Sequence, residues 1–134
     1  MKQFSLDPAM LTMGGVFYPK GYMFLMFPSK DAIHKAEQLL LDSGVSGETM
    51  SLVTPKDIQE KIAQTVGTAD IPLPSAGSEA DTVRQYAQLA SEGHHALMVH
   101  APDAADSDQI MDVLKDSGIS YGQKYRMLVI EDLT

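Results

Sequence analysis

No cysteine occurs among the 134 residues. That absence removes disulfides, thiolate catalysis and cysteine-ligated zinc together, and it fits a reducing cytoplasm. Long apolar runs are missing as well. The longest, Tyr22 to Phe27, falls far short of the ~20 residues that span a bilayer. The opening Met1-Lys2-Gln3-Phe4-Ser5-Leu6-Asp7-Pro8 has no hydrophobic signal region and carries an early acid and a proline. Bases are scarce: 10 Lys and Arg against 18 Asp and Glu give a formal charge of −8, a sign that repels phosphate backbones. The basic residues are scattered from Lys2 to Arg126 without a patch along the sequence. Neither nucleic acid nor membrane is therefore an expected partner, and the expected location is the cytoplasm.

What remains is the composition of a globular domain. At 44% hydrophobic and 21% charged, the chain is neither disordered nor fibrous, and 134 residues suffice for one domain with a real core. The sequence also carries an internal repeat. Shifted by 74 positions without a gap, Tyr22-Met23-Phe24-Leu25-Met26-Phe27-Pro28 falls on Ala96-Leu97-Met98-Val99-His100-Ala101-Pro102. Further on, Leu40-Leu41-Asp42-Ser43-Gly44-Val45-Ser46 falls on Leu114-Lys115-Asp116-Ser117-Gly118-Ile119-Ser120. Each copy reads as an apolar strand, a Pro-marked turn, an amphipathic helix, a Gly stop and a second strand.

Four segments follow within one domain. Residues 1–20 are an amino-terminal arm, irregular at Pro8, Gly14-Gly15 and Pro19, yet apolar enough at Met10, Leu11, Val16, Phe17 and Tyr18 to pack. Residues 21–54 are a first βαβ unit, with a strand over about 21–27, a helix capped by Ser29 and a short strand near 49–53. Ile33, Ala36 and Leu40 mark the buried face of that helix, and Gly44 stops it. Residues 55–93 are a helical insertion. Thr54-Pro55-Lys56-Asp57 forms a capping box with Pro at the first helical position, and Ile58, Ile62 and Val66 repeat on one face. Gly67 to Gly77 reads as a surface loop. Ser78-Glu79-Ala80-Asp81 is a second capping box, opening a helix with Val83, Tyr86, Ala87 and Ala90 inward. Residues 94–134 are the second βαβ unit, with strands at His95–His100 and about Tyr125–Ile130.

Two such units side by side predict an α+β protein: a ferredoxin-like duplicated βαβ with an antiparallel sheet, in which the first strand of each unit is central. The two most continuously apolar strands are the ones so placed. The alternative is a small doubly wound parallel sheet, since helices separate the strands. Over most of residues 21–131, this order of strand, Gly-terminated helix and strand is similar to small bacterial general-stress-protein domains of unknown function. The resemblance implies a stress-related role and brings no site residues.

Strand alternation supplies the main functional clue. Met23, Leu25, Leu97 and Val99 point to one face, the seat of the two repeat helices. Tyr22, Phe24, Met26, Met98 and His100 point to the other, which is aromatic and Met-rich where a solvated face would be polar. Burying the four large apolar side chains there is worth on the order of 6–12 kcal/mol, at about 1.5–3 each. A second copy of the chain, the inserted helices, or a ligand must cover them.

The other constellations carry less. His94, His95 and His100 cluster on one strand, but His94 and His100 are too far apart to share a metal ion, and no metal or cofactor is expected. The acids Asp103, Asp106, Asp108, Asp112 and Asp116 read as a solvated helix face whose start suits negative charge. They lack the glycine and terminal Glu of a calcium loop. Gly14-Gly15 is followed by no phosphate-cradle pattern, and Ser43 and Ser117 are turn residues without a placed base. Arg126, read as lying within a strand, either anchors an anion or pairs with an acid at the sheet edge.

The sequence thus leads to a homodimeric cytoplasmic binding or regulatory module, joined through the apolar sheet face. The alternative is a dimeric ferredoxin-like enzyme or carrier with a small apolar or aromatic ligand on Tyr22, Phe24, Met26, Met98 and His100.

Overall fold

Continuously apolar strands belong where both sheet faces are covered, and the chain places them there. The computed structural model describes residues 1–12, 14–66, 77–126 and 129–134, with only the backbone at 77 and 78. The strands are β1 (Lys2–Gln3), β2 (Tyr22–Phe27), β3 (Met50–Val53), β4 (His95–His100), β5 (Tyr121–Tyr125) and β6 (Ile130–Asp132). The helices are α1 (Lys30–Asp42), α2 (Pro55–Asp57), α3 (Gly77–Ser91) and α4 (Ala104–Leu114). α2 runs on through a π turn, Ile58–Ile62, and a 3-10 turn, Ala63–Thr65.

The six strands form one sheet in the order β1-β3-β4-β2-β5-β6. β2 lies between β4 and β5 and is antiparallel to both, as β3 is to β4 and β5 to β6. β1 runs parallel to β3. The sheet is therefore mixed, which corrects the expectation of an antiparallel one. The cause is the amino-terminal arm, whose first residues become an edge strand that the amide of Phe4 extends by donating to Leu52 O at 3.1 Å. The antiparallel pairing of the central strands also rules out the doubly wound parallel alternative.

Local signals work as their chemistry requires. Ser29 Oγ accepts from the amide of Ala32 at 3.2 Å, and the Thr54–Asp57 capping box is closed in both directions, at 3.1 and 3.2 Å. α1 and α4 start 74 residues apart, at Lys30 and Ala104, and both are followed by a glycine at positive φ, Gly44 at +99° and Gly118 at +86°. In both turns the serine before that glycine bonds back to the helix, Ser43 Oγ to Leu40 O at 2.8 Å and Ser117 Oγ to Leu114 O at 2.5 Å.

The end of the chain differs from its expected form. One strand over 125–130 is replaced by β5 and β6, and Arg126 lies just past the end of β5, its amide donating to Val129 O at 2.9 Å. β5 escaped notice because it carries Gln123 and Lys124, polar residues that are nonetheless buried. The expected loop lies outside the described residues except for Gly77, which begins α3, and Ser78, expected as the cap, falls one residue inside that helix.

Alternation divides the core in two. Met23, Leu25, Leu97 and Val99 pack with Ile33, Ala36 and Leu40 of α1 and with Ile110 and Leu114 of α4. On the opposite face Phe24, Met26, Ala96 and Met98 pack with Ile58 and Ile62, with Val83, Tyr86 and Ala90 of α3, and with Phe4 and Phe17 of the arm. The apolar face that called for a cover is covered by this chain itself. A second subunit is not needed there.

Candidate functional site

The antiparallel register pairs Tyr22 with His100, Phe24 with Met98 and Met26 with Ala96. The five residues expected to form a site thus share one face but meet two environments. Phe24, Met26 and Met98 are 0–1% exposed, inside the core. Phe24 stacks on Tyr86 with ring centroids 4.1 Å apart and meets the edge of Phe17 at 5.8 Å. Tyr22 and His100 stand at the open end of the strands, rings 4.9 Å apart, with Tyr22 half-buried and His100 exposed.

Behind Phe24 the hydroxyls of Tyr86 and Tyr125 share a hydrogen bond of 2.7 Å in the interior. Burial pushes the Tyr86 phenol well above its usual range, with the neighbouring Tyr125 adding to the effect. Burial also raises Tyr125, against which the bond from Tyr86 works. Both phenols are neutral, and their bond ties the inserted helix α3 to β5.

At the His100 end a cavity of about 530 Å³ opens between the start of β2, the ends of β4 and β5, and the start of α4. Gly21 is its floor. Its amide donates to Tyr125 O at 2.8 Å and its carbonyl accepts from the amide of Ala101 at 3.0 Å, so one residue joins the two strand ends. Gly21 has φ +86°, and a Cβ there would lie 3.4 Å from His100 Nε2, so glycine answers both the backbone shape and the closeness of the imidazole.

The walls are cationic. Lys20 and Arg126, both exposed, line the cavity with His100 and Lys124. Lys124 is 2% exposed, and its ammonium donates to Ser107 Oγ at 2.7 Å. Ser107, in the first turn of α4, in turn donates to Ala104 O at 3.1 Å. Among the described residues no carboxylate forms an ion pair with Lys124. Arg126 pairs only loosely with Glu131, at 3.6 Å, both side chains being partly exposed. Asp103, the N-cap of α4, makes no side-chain capping bond, and Pro102 and Ala104 beside it form the remaining wall.

His100 also borders a second cavity of about 220 Å³, where Ser43, Ser46, Thr49 and Asp106 supply polar groups. The other histidines act separately: His94 Nδ1 meets Ser120 Oγ at 2.8 Å, His95 Nδ1 meets Gly93 O at 3.1 Å, and His34 sits 3.7 Å from Glu37. The five acids of the α4 region are all exposed. Among the described residues no three His, Asp or Glu side chains converge as metal ligands, and no helix is long and apolar enough to cross a membrane.

Sequence reasoning found His100, its neighbour Tyr22, and Arg126 as a possible anion anchor. It missed Lys20 and Lys124. The missed signal was parity: in a strand whose Tyr121, Gln123 and Tyr125 face α3, Lys124 must point toward α4. Comparison with known proteins finds no matching family model, no matching curated protein and no matching solved structure.

Proposed function

We propose that this protein is a small binding module that holds a low-molecular-weight ligand in the cavity at the end of its sheet. One observation carries the reading: about 530 Å³ of space, bounded by four different elements, into which Lys20, His100, Lys124 and Arg126 bring polar groups. Concave sites of 300–1,000 Å³ with a few converging polar groups are the usual form of small-molecule sites. The ligand position moves from the middle of the apolar face, where Phe24, Met26 and Met98 are packed on by α3, to the strand end at His100.

A ferredoxin-like duplicated βαβ is the fold reading that goes with it. Its support is the adjacency of β2 and β4 at the sheet centre and the matched starts and Gly-turns of α1 and α4. A cytoplasmic, stress-related and homodimeric role completes the proposal as the sequence suggested it. A dimer would have to meet through surfaces other than the covered face, and the exposed leucines of α1, Leu39 and Leu41, are among the apolar ones available.

The test is a thermal-shift screen of small metabolites on the native chain and on Ala104→Trp, with light scattering of both. Ala104 is exposed on the cavity wall, so the indole fills the space without entering the core. A ligand at 100 times its Kd stabilises the native protein by about 2.7 kcal/mol, and the plugged variant loses that response. A native protein that responds to nothing, or a plugged variant that responds equally, overturns the reading.

A further inference from the structure

We infer that the ligand of this cavity is an organic phosphate monoester, its phosphate seated among Lys20, Lys124 and Arg126. The inference rests on the binding-module reading above and goes on to name the chemistry of what binds.

The argument begins from charge. The chain carries −8 overall, yet three of its ten Lys and Arg residues line one cavity, contributed by the entry to β2, by β5 and by the turn after it. Lys124 is the informative member. Burial of a charged amine is costly unless an opposite charge or a full set of acceptors compensates it. An ammonium has three donors, and among the described residues the hydrogen bond of Lys124 Nζ is the single one to Ser107. Ser107 fixes the direction of the ammonium, since its own proton is engaged by Ala104 O. An anion in the cavity would supply the missing countercharge.

Arg126 is held in a similar half-committed state. Its loose pairing with Glu131 at 3.6 Å leaves most of its five N–H donors for other acceptors. Three cationic groups arriving from separate directions suit a tetrahedral dianion, whose oxygens point several ways. A planar carboxylate is satisfied by one guanidinium alone. The volume far exceeds that of an inorganic ion, which has a share of about 30 Å³ when water-sized. The remaining space is bordered by His100, Pro102 and Tyr125, whose rings offer a surface to the organic part. Two carboxylates flank this cavity, Asp103 between the wall residues Pro102 and Ala104 and Glu131 loosely paired with Arg126, and both are set against three cations.

The experiment titrates the native chain with phenyl phosphate, benzoate, benzyl alcohol and inorganic phosphate, followed by calorimetry and amide NMR shifts. Phenyl phosphate is expected to bind best, to weaken as salt rises, and to shift the amides of Gly21 and Ala104. Lys124→Met is expected to weaken it by roughly tenfold or more, as loss of a charge-assisted bond implies. Lys20→Gln and Arg126→Gln, both at exposed positions, give the same direction without touching the core. Lys115→Met, at the far end of α4, makes the same change of net charge and leaves binding unaltered. Equal binding of benzyl alcohol and phenyl phosphate, abolished by Ala104→Trp, overturns the phosphate inference and leaves the binding module standing. Benzoate binding more tightly than phenyl phosphate overturns the phosphate in favour of a carboxylate. No response to any of the four, with none in the wider screen, overturns both.

Discussion

Replacing Phe24 with alanine tests whether one chain closes its own apolar face. Phe24 is fully buried, stacked on Tyr86 at 4.1 Å and edge-on to Phe17 at 5.8 Å. Truncating a buried phenylalanine costs about 3–5 kcal/mol, the lost transfer energy and the unfilled cavity adding together. Most domains are stable by only about 5–15 kcal/mol, so Phe24→Ala should remove roughly a fifth or more of the total. Tyr22→Ala changes the same face of the same strand where it is half-buried, and should cost about 1 kcal/mol. Urea denaturation followed by circular dichroism, run at two widely separated protein concentrations, reads both quantities. The cover is the chain's own insertion and arm, so the wild-type midpoint should not move with concentration. A Phe24→Ala cost below about 1 kcal/mol, or a midpoint that climbs with concentration, would refute the account: the first would mean the site is not packed, and the second that a partner copy stabilises it.

Three further outcomes follow from particular contacts. Thr54→Ala removes the hydroxyl that accepts from the amide of Asp57, while the residue-54 amide keeps its bond to Asp57, and it should lower stability by about 1 kcal/mol in the same urea assay, whereas Thr54→Ser retains most of it. Tyr86 and Tyr125 are raised above the ordinary phenol range of about 10 in the folded chain. Below that pH both states hold the protons and stability is unaffected. Above it the unfolded chain releases protons that the folded chain keeps, so stability falls as pH rises. Phenolate absorbance of these two groups should therefore appear together with loss of circular dichroism, and Tyr86→Phe/Tyr125→Phe should flatten the alkaline dependence. Gly21→Ala forces an alanine to φ +86° with its Cβ 3.4 Å from His100 Nε2. It should cost about 1–2 kcal/mol by thermal melting and displace the His100 ring signals in NMR, whereas Gly14→Ala, with room around it, should not.

Much of the architecture was legible because it rests on local rules. The period of two in Tyr22–Phe27 and His95–His100 sorted their side chains between two faces, and Ser29, Thr54, Gly44 and Gly118 marked helix ends by their own hydrogen bonds and backbone shapes. Two things were not legible for the same reason: they depend on distant partners. β1 exists because Lys2 and Gln3 meet Ser51 and Leu52, and nothing in a two-residue polar segment announces that. β5 breaks the apolar pattern at Gln123 and Lys124, whose side chains bond to Asp132 and Ser107, residues met only after folding. The candidate site suffered likewise. His100 followed from alternation, but the cations come from three separate places and converge only in space.

With helices pressed on both sides of β2 and β4, the middle of the sheet offers nothing to a visitor. The two cavities described above lie instead toward the ends of the strands, beside the turns that join them. Changes to exposed side chains there (Lys20, Pro102, Asp103, Arg126) leave the packed interior untouched. Under the binding reading proposed above, the exposed groups that meet a ligand are thus set apart from the packing that holds the fold upright.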